Sequence, residues 1–253
     1  MIAATTSEGV GEAGVGRGAY DRGMLFRNKT EMIRPEEALP GRDTPMVVTN
    51  EHVVLGTPIQ PPFPDGMEQL VVAMGCFWGA ERIFWQLPGV YTTAVGYMGG
   101  WTRHPTYEET CTARTGHTES VLVVYDPNAI TVQRLMKAFW ENHDPTTPNR
   151  QGNDIGTQYR SAIFPTTSDQ MTEVLASRDR YQAALTAAGY GEVTTQITMA
   201  DEAGDGVFYY AEDYHQGYLH KHPGGYCNHG FCQVGYDLDA HGQGTARATL
   251  PDA

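Results

Sequence analysis

The chain is 253 residues long with 40% hydrophobic content, enough to bury one core of good size, so a single globular domain with extended ends is expected. Acidic side chains outnumber basic ones, 30 to 17, for a net charge of −13, and no block of lysine or arginine could neutralise a phosphate backbone, which argues against nucleic acid as a partner. No apolar run approaches the roughly 18 residues of a membrane span, and the N-terminus lacks the apolar core of a secretory signal, so a cytoplasmic protein off the membrane is expected, with a monomer as the default state.

Residues 1–22 are rich in Gly, Ala, Ser and Thr, lack periodicity and read as a disordered tail. Within them Gly9-Val10-Gly11-Glu12-Ala13-Gly14 matches the glycine spacing of dinucleotide sites, but no strand precedes it and no helix follows, so it carries no site. Residues 23–66 contain prolines and short apolar patches, Met46-Val47-Val48 and Val53-Val54-Leu55, and read as an irregular arm wrapping the core. The core is expected over 67–236. Its strands are predicted at 70–74, 91–98, 119–125, 159–164 and 194–199, and its helices at 77–86, 132–142, 169–188 and 212–220. In the second helix Thr131 is an N-cap, and Val132, Leu135, Met136, Phe139 and Trp140 form an apolar stripe. This interleaving predicts an α/β (α+β) fold, a two-layer sandwich whose mixed sheet is covered by helices, with long irregular N- and C-terminal segments. Residues 237–253 read as a flexible tail.

Four cysteines in a reducing compartment point to catalysis, redox chemistry or metal binding before a static disulfide framework. Cys76 is the most informative. It follows the buried strand 70–74 and opens the helix predicted at 77–86, where unpaired amides and the positive dipole end favour thiolate. Gly75 and Gly79 allow a tight turn at the sulfur, and Phe77 and Trp78 offer an apolar floor for a small ligand. A buried structural cysteine is the other reading of the same residues. Glu119 begins a strand whose continuation, Val121-Leu122-Val123-Val124, is apolar on both faces, so desolvation should raise its pKa towards that of a general acid. A solvated strand end is the alternative. Cys111 reads as a buried, inert thiol, and His117 and His143 as satisfied structural histidines.

Five motifs occur in order: Gly75-Cys76-Phe77-Trp78-Gly79; Gly116-His117-Thr118-Glu119; the stretch from Gln151 to Ser161; Tyr209-Tyr210-Ala211-Glu212-Asp213-Tyr214-His215-Gln216; and Gly224-Gly225-Tyr226-Cys227. Together they make the chain, over residues 36–236, resemble the A-type peptide methionine sulfoxide reductases, which reduce the S epimer of methionine sulfoxide. The resemblance implies that Cys76 attacks the sulfoxide sulfur and Glu119 protonates the oxygen. Tyr107 and Tyr159 bind that oxygen, Phe77 and Trp78 receive the methyl group, and Asp154 binds the substrate's backbone side or orders the pocket. Cys76 is left as a sulfenic acid, which Cys227 resolves to a disulfide. Cys232 could recycle that disulfide at the surface, or pair directly with Cys227. The implied substrates are protein-bound and free methionine sulfoxide. No bound cofactor or metal is expected, and thioredoxin or another dithiol donor supplies electrons.

Three other readings compete. His215, His220, His222, Cys227, His229 and Cys232 are dense enough for a structural metal, but lack the paired Cys-x2-Cys spacing of a closed zinc site. A peroxide-reducing thiol enzyme would use the same Cys76 and Cys227 chemistry, and only its substrate would differ. A binding module without catalysis is the third alternative.

Overall fold

The computed structural model describes residues 28–227 and 234–238. The expectations for residues 1–22, His229 and Cys232, and for all of the 237–253 tail except residues 237 and 238, lie outside the described residues. Among the described residues, eight strands and five α-helices follow one another as β1 Glu68–Met74, α1 Phe77–Trp85, β2 Val90–Met98, α2 Tyr107–Cys111, β3 Thr118–Tyr125, α3 Val132–Glu141, β4 Arg150–Gln151, β5 Asp154–Ile155, β6 Ser161–Pro165, α4 Ser168–Ala187, β7 Gln196–Ile197, β8 Tyr209–Tyr210 and α5 Tyr218–Lys221.

Six strands form one sheet in the order β7-β6-β1-β3-β2-β8, while β4 and β5 make a separate hairpin. The pairings of β1, β2, β3, β6 and β8 are antiparallel, and β6 with β7 is parallel, so the sheet is mixed as expected. Its strands are apolar runs because both faces are covered. Leu70, Val72 and Met74 join Val95, Val121 and Val123 against α1, α3 and α4, where Phe84, Phe139, Trp140 and Tyr181 fill the layer. Val71, Ala73, Ala94, Leu122 and Val124 point the other way, onto Ile59, Val48 and Phe63 of the arm and Ala203 and Phe208.

The main departures from expectation concern three predicted elements and one helix that the pattern does not predict. Tyr159 ends a 3-10 turn, Thr157–Tyr159, so the strand expected at 159–164 starts at Ser161, and that expected at 194–199 is only Gln196–Ile197. The helix expected at 212–220 shrinks to Tyr218–Lys221. Gly217 takes a left-handed φ of +61°, and a Cβ there would lie 2.1 Å from Val53 Cγ1. Helix α2 was not foreseen, although Thr106 and Glu109 form a reciprocal capping box at its start. Thr131 does cap α3, accepting from Arg134 N.

Buried polar groups tie the arm to the core. His52 Nδ1 accepts from the amides of Val54 and Leu55 at 3.1 and 3.0 Å, so its Nε2–H donates to Thr93 Oγ1 at 2.8 Å. The Thr93 hydroxyl donates to Glu81 Oε1 at 3.3 Å, and Gly217 N–H donates to Glu81 Oε2 at 2.9 Å. Burial pushes the Glu81 carboxyl up to about 8. His143 donates from Nδ1 to Phe139 O and accepts from Ser161 Oγ, and His117 accepts from Gly100 N while donating to Thr102 O. Burial lowers His52, His117 and His143 to about 4, so all three are neutral structural rings.

These shifts fix how stability depends on pH. Below about 6.5 the unfolded histidines take up protons that the buried rings refuse, so stability falls as pH drops towards 4. From about 4.5 to about 8 the folded Glu81 and Glu119 keep protons the unfolded chain has lost, an opposing trend that the three histidines outweigh below 6.5 and that makes stability fall as pH rises from 6.5 to 8. Thermal unfolding is expected to show its highest midpoint near pH 6.5, with Glu81→Gln lessening the alkaline slope. A midpoint climbing steadily through pH 8 would contradict this.

Candidate active site

Strand β1 delivers Cys76 through one sharp turn. Gly75 sits at φ +88°, and a Cβ there would meet Gln151 Cβ at 2.6 Å, so only glycine allows the β4 hairpin to close against this corner. Cys76 then caps α1 and is 7% exposed. The Trp78 amide draws the thiol's pKa down, as a helix start should. Burial and then the charge of Glu119 outweigh it, and the thiol is held well above its usual range. The helix start therefore does not make a resting thiolate here.

Glu119 is the second residue of β3, opposite Tyr97 of β2, and only 1% exposed. Phe77 N–H, the first amide of α1, donates to its Oε2 at 3.0 Å. Burial pushes the carboxyl up to about 8 against the pull of that amide, with the charge of Asp154 adding to the rise. At neutral pH Glu119 is a carboxylic acid beside a thiol.

The two tyrosines expected at the site converge on it from different elements. Tyr107 is the first residue of α2, and Tyr159 ends the 3-10 turn after β5. Both are half-buried, and burial followed by the charge of Glu119 keeps their phenols protonated; Cys76 also acts on Tyr159. Asp154 on β5 acts electrostatically on Cys76, Glu119 and Tyr159. Phe77 is buried, and Trp78, half-buried beside it, stacks on Tyr218 with ring centroids 3.8 Å apart. Cys227 is exposed yet close enough to act on Cys76. The nine expected site residues thus gather at one place, save Cys232, which is outside the described residues.

Three residues of the site were missed or misjudged. Glu212 accepts Tyr107 N–H at 2.9 Å on Oε1 and the Tyr97 hydroxyl at 3.0 Å on Oε2. His215, considered only as a metal ligand, is buried and accepts the Trp78 indole N–H on Nδ1 at 3.1 Å, with Nε2 3.8 Å from Glu212 Oε2. Its ring lies 4.5 Å from that of Tyr107. Both residues belong to the Tyr209 to Gln216 motif, whose sequence carried no hint of its contacts. Cys111 is half-buried where it was expected to be buried: it is hydrogen-bonded to the Tyr107 phenol, and desolvation, with the charge of Glu119, holds its thiol above its ordinary range. Among the described residues no three His, Cys, Asp or Glu side chains come together as a metal ion would require, and no helix is long and apolar enough to cross a membrane.

Comparisons with known proteins agree with one another. The family model for peptide methionine sulfoxide reductase matches residues 68–239. The chain is 58% identical over 218 residues to the peptide methionine sulfoxide reductase MsrA of Salinispora arenicola, covering 84% of this chain and 97% of that one. It is 59% identical over 207 residues to the MsrA of Rhodospirillum centenum, covering 81% and 92%. Among solved structures, methionine sulfoxide reductase A of Corynebacterium diphtheriae superposes with a TM-score of 0.73 at 45% identity over 81% of this chain and 97% of that one. The reduced form of Mxr1 from Saccharomyces cerevisiae gives 0.58 at 32%, over 67% and 94%.

The contrast between the two thiols is directly measurable. In the reduced protein at neutral pH, iodoacetamide is expected to label exposed Cys227 roughly tenfold or more faster than Cys76, as followed by peptide mass spectrometry. Equal labelling rates would mean that Cys76 is neither buried nor held as a thiol.

Proposed function

The chain belongs to the peptide methionine sulfoxide reductase family and is an oxidoreductase that reduces methionine sulfoxide, and we propose that it does so through Cys76 and Glu119 with Cys227 resolving the product. The observation that carries this reading is the buried acid of Glu119, pinned by Phe77 N–H next to the thiol at the start of the same helix.

In the proposed reaction the sulfoxide methyl lies against Phe77 and Trp78, and the oxygen points to the phenols of Tyr107 and Tyr159 and to Glu119. Glu119 gives its proton to the oxygen as Cys76 Sγ bonds to the sulfoxide sulfur, and the carboxylate so formed takes the thiol proton. The hydroxyl passes to Cys76 and methionine leaves with its lone pair restored. Cys76 is thereby oxidised by two electrons to a sulfenic acid while the sulfoxide is reduced by two. Because Glu119 starts protonated, the negative charge that opposes thiolate formation is absent when the substrate arrives. The phenols stabilise charge growing on oxygen. An apolar wall for methyl and a polar wall for oxygen, on fixed sides of one sulfur, favour a single epimer, the S form, and Asp154 engages the backbone side. Cys227 then displaces hydroxide from the sulfenic sulfur, a disulfide forms and water is lost. Thioredoxin or another dithiol reduces that disulfide, with Cys232 as a relay. Protein-bound and free methionine sulfoxide both fit this scheme.

A single-turnover assay with reduced protein and separated epimers of N-acetyl-methionine sulfoxide tests the scheme. Methionine is expected from the S epimer only, with two thiols lost per methionine and none formed by Cys76→Ser. Glu119→Gln should slow the methionine-forming step on the order of 10² to 10⁴-fold. In the native protein that step should decline as pH rises through about 8, where Glu119 loses its proton. An unaltered rate in Glu119→Gln would remove it from the role of acid, and no methionine from either epimer would overturn the scheme.

A further inference from the structure

Two contacts on adjacent residues of the C-terminal segment have no part in the reduction of the sulfoxide. Arg82, on α1 six residues beyond Cys76, donates from Nη2 to Cys227 Sγ at 3.5 Å. Tyr226 donates its hydroxyl to Asp154 Oδ1 on β5 at 3.0 Å. One anchor lies on the helix that begins at the nucleophile and the other on the hairpin whose Gln151 packs against Gly75. Cys76 responds to the charges of both Asp154 and Cys227, so both anchored ends lie close to it.

We propose that Arg82 and the Tyr226–Asp154 bond form a two-point latch that positions Cys227 over Cys76 for disulfide formation. This rests on the reading of Cys76 and Cys227 as attacking and resolving cysteines, and adds the residues that set the rate of the second step. The step itself is the attack of Cys227 sulfur on the sulfenic sulfur of Cys76: an S–S bond forms, the S–O bond breaks, and hydroxide leaves with the Cys227 proton as water. Each cysteine ends in the disulfide oxidation state with no outside oxidant. Arg82 is suited to the task because a guanidinium donates to a sulfur carrying negative charge and keeps its proton throughout. Tyr226 is half exposed, at 50%, so its bond to Asp154 sits at the rim, where substrate can displace it. Asp154 is also the carboxylate proposed to engage the substrate's backbone side. The latch and the substrate therefore share one acceptor, and the latch closes fully once methionine has left. Arg82 and Tyr226 are positioning residues; neither meets the sulfoxide.

The test separates the two chemical steps in one experiment on the full chain. Reduced native protein, Arg82→Ala, Arg82→Lys, Tyr226→Phe and Cys227→Ser are each mixed with S-sulfoxide, and methionine, thiols and dimedone-trapped sulfenic acid are followed with time. At saturating S-sulfoxide, where competition for Asp154 no longer counts, methionine formation is expected within twofold of native in both Arg82→Ala and Tyr226→Phe. Disulfide formation should slow about tenfold in each, with sulfenic acid accumulating towards the Cys227→Ser level, and Arg82→Lys should recover most of the rate. A fold defect would depress the first step and would not be mended by lysine. Native disulfide kinetics in Arg82→Ala and Tyr226→Phe would overturn the latch, as would loss of the methionine burst in those variants alone. Absence of trapped sulfenic acid in Cys227→Ser with a normal burst would instead overturn the resolving role on which the latch rests.

Discussion

A carboxyl group buried beside a buried thiol sets the terms for the rest of the site. Glu119 is carried inward by β3, a strand with every residue buried, and meets the first amide of α1 at 3.0 Å. A single amide does not compensate the desolvation of a carboxylate, so the group stays neutral up to about pH 8. Were it ionised, its charge would push the neighbouring Cys76 thiol further from thiolate, the direction already set by burial. In the proposed reaction the proton on Glu119 is thus both what the sulfoxide oxygen needs and what permits the sulfur to attack. The resting protein keeps both groups protonated, and in the proposed scheme the proton exchange between them belongs to the encounter with substrate.

Around this pair the fold fixes directions. Glu212 holds the start of α2 by the Tyr107 amide and the β2 strand by the Tyr97 hydroxyl, while His215, three residues on, holds the Trp78 indole. One short stretch of chain therefore orients both Tyr107, the phenol proposed to meet the oxygen, and Trp78, part of the wall proposed for the methyl group. Behind it, Gly217 is tied by Glu81 to α1 and, through Thr93 and His52, to the arm. Tyr218, the next residue, stacks on the outer face of Trp78. The arm covers the second sheet face and also braces the wall of the pocket, a coupling that runs entirely through buried hydrogen bonds.

The central strands and the three longer helices were legible because they are apolar runs or 3.6-residue stripes long enough to declare their period. Cys76 and Glu119 were legible for the same reason: each stands at the edge of an apolar strand, where burial of a reactive group follows from the pattern. Helix α2, five residues long, offered only the Thr106 and Glu109 cap, and residues 212–216 looked helical until Gly217 and the long-range bonds of Glu212 and Gln216 drew them into turns. Those bonds span 105 and 121 residues of sequence, and no local pattern encodes them. The thiolate expected at the helix start failed on magnitude, since burial outweighs one amide. The roles of Tyr107, Tyr159 and Asp154 came from motif resemblance alone, because a half-buried phenol has no sequence signature of its own.

The claim on which this account turns is that Glu119 holds a proton at neutral pH. Infrared difference spectra between the native protein and Glu119→Gln, recorded across pH, read that proton through the carboxylic C=O stretch and leave the shared contribution of Glu81 to cancel. A protonated-carboxyl band at neutral pH that vanishes with a midpoint near 8 is expected. A difference spectrum with only the ionised carboxylate bands at neutral pH would contradict it.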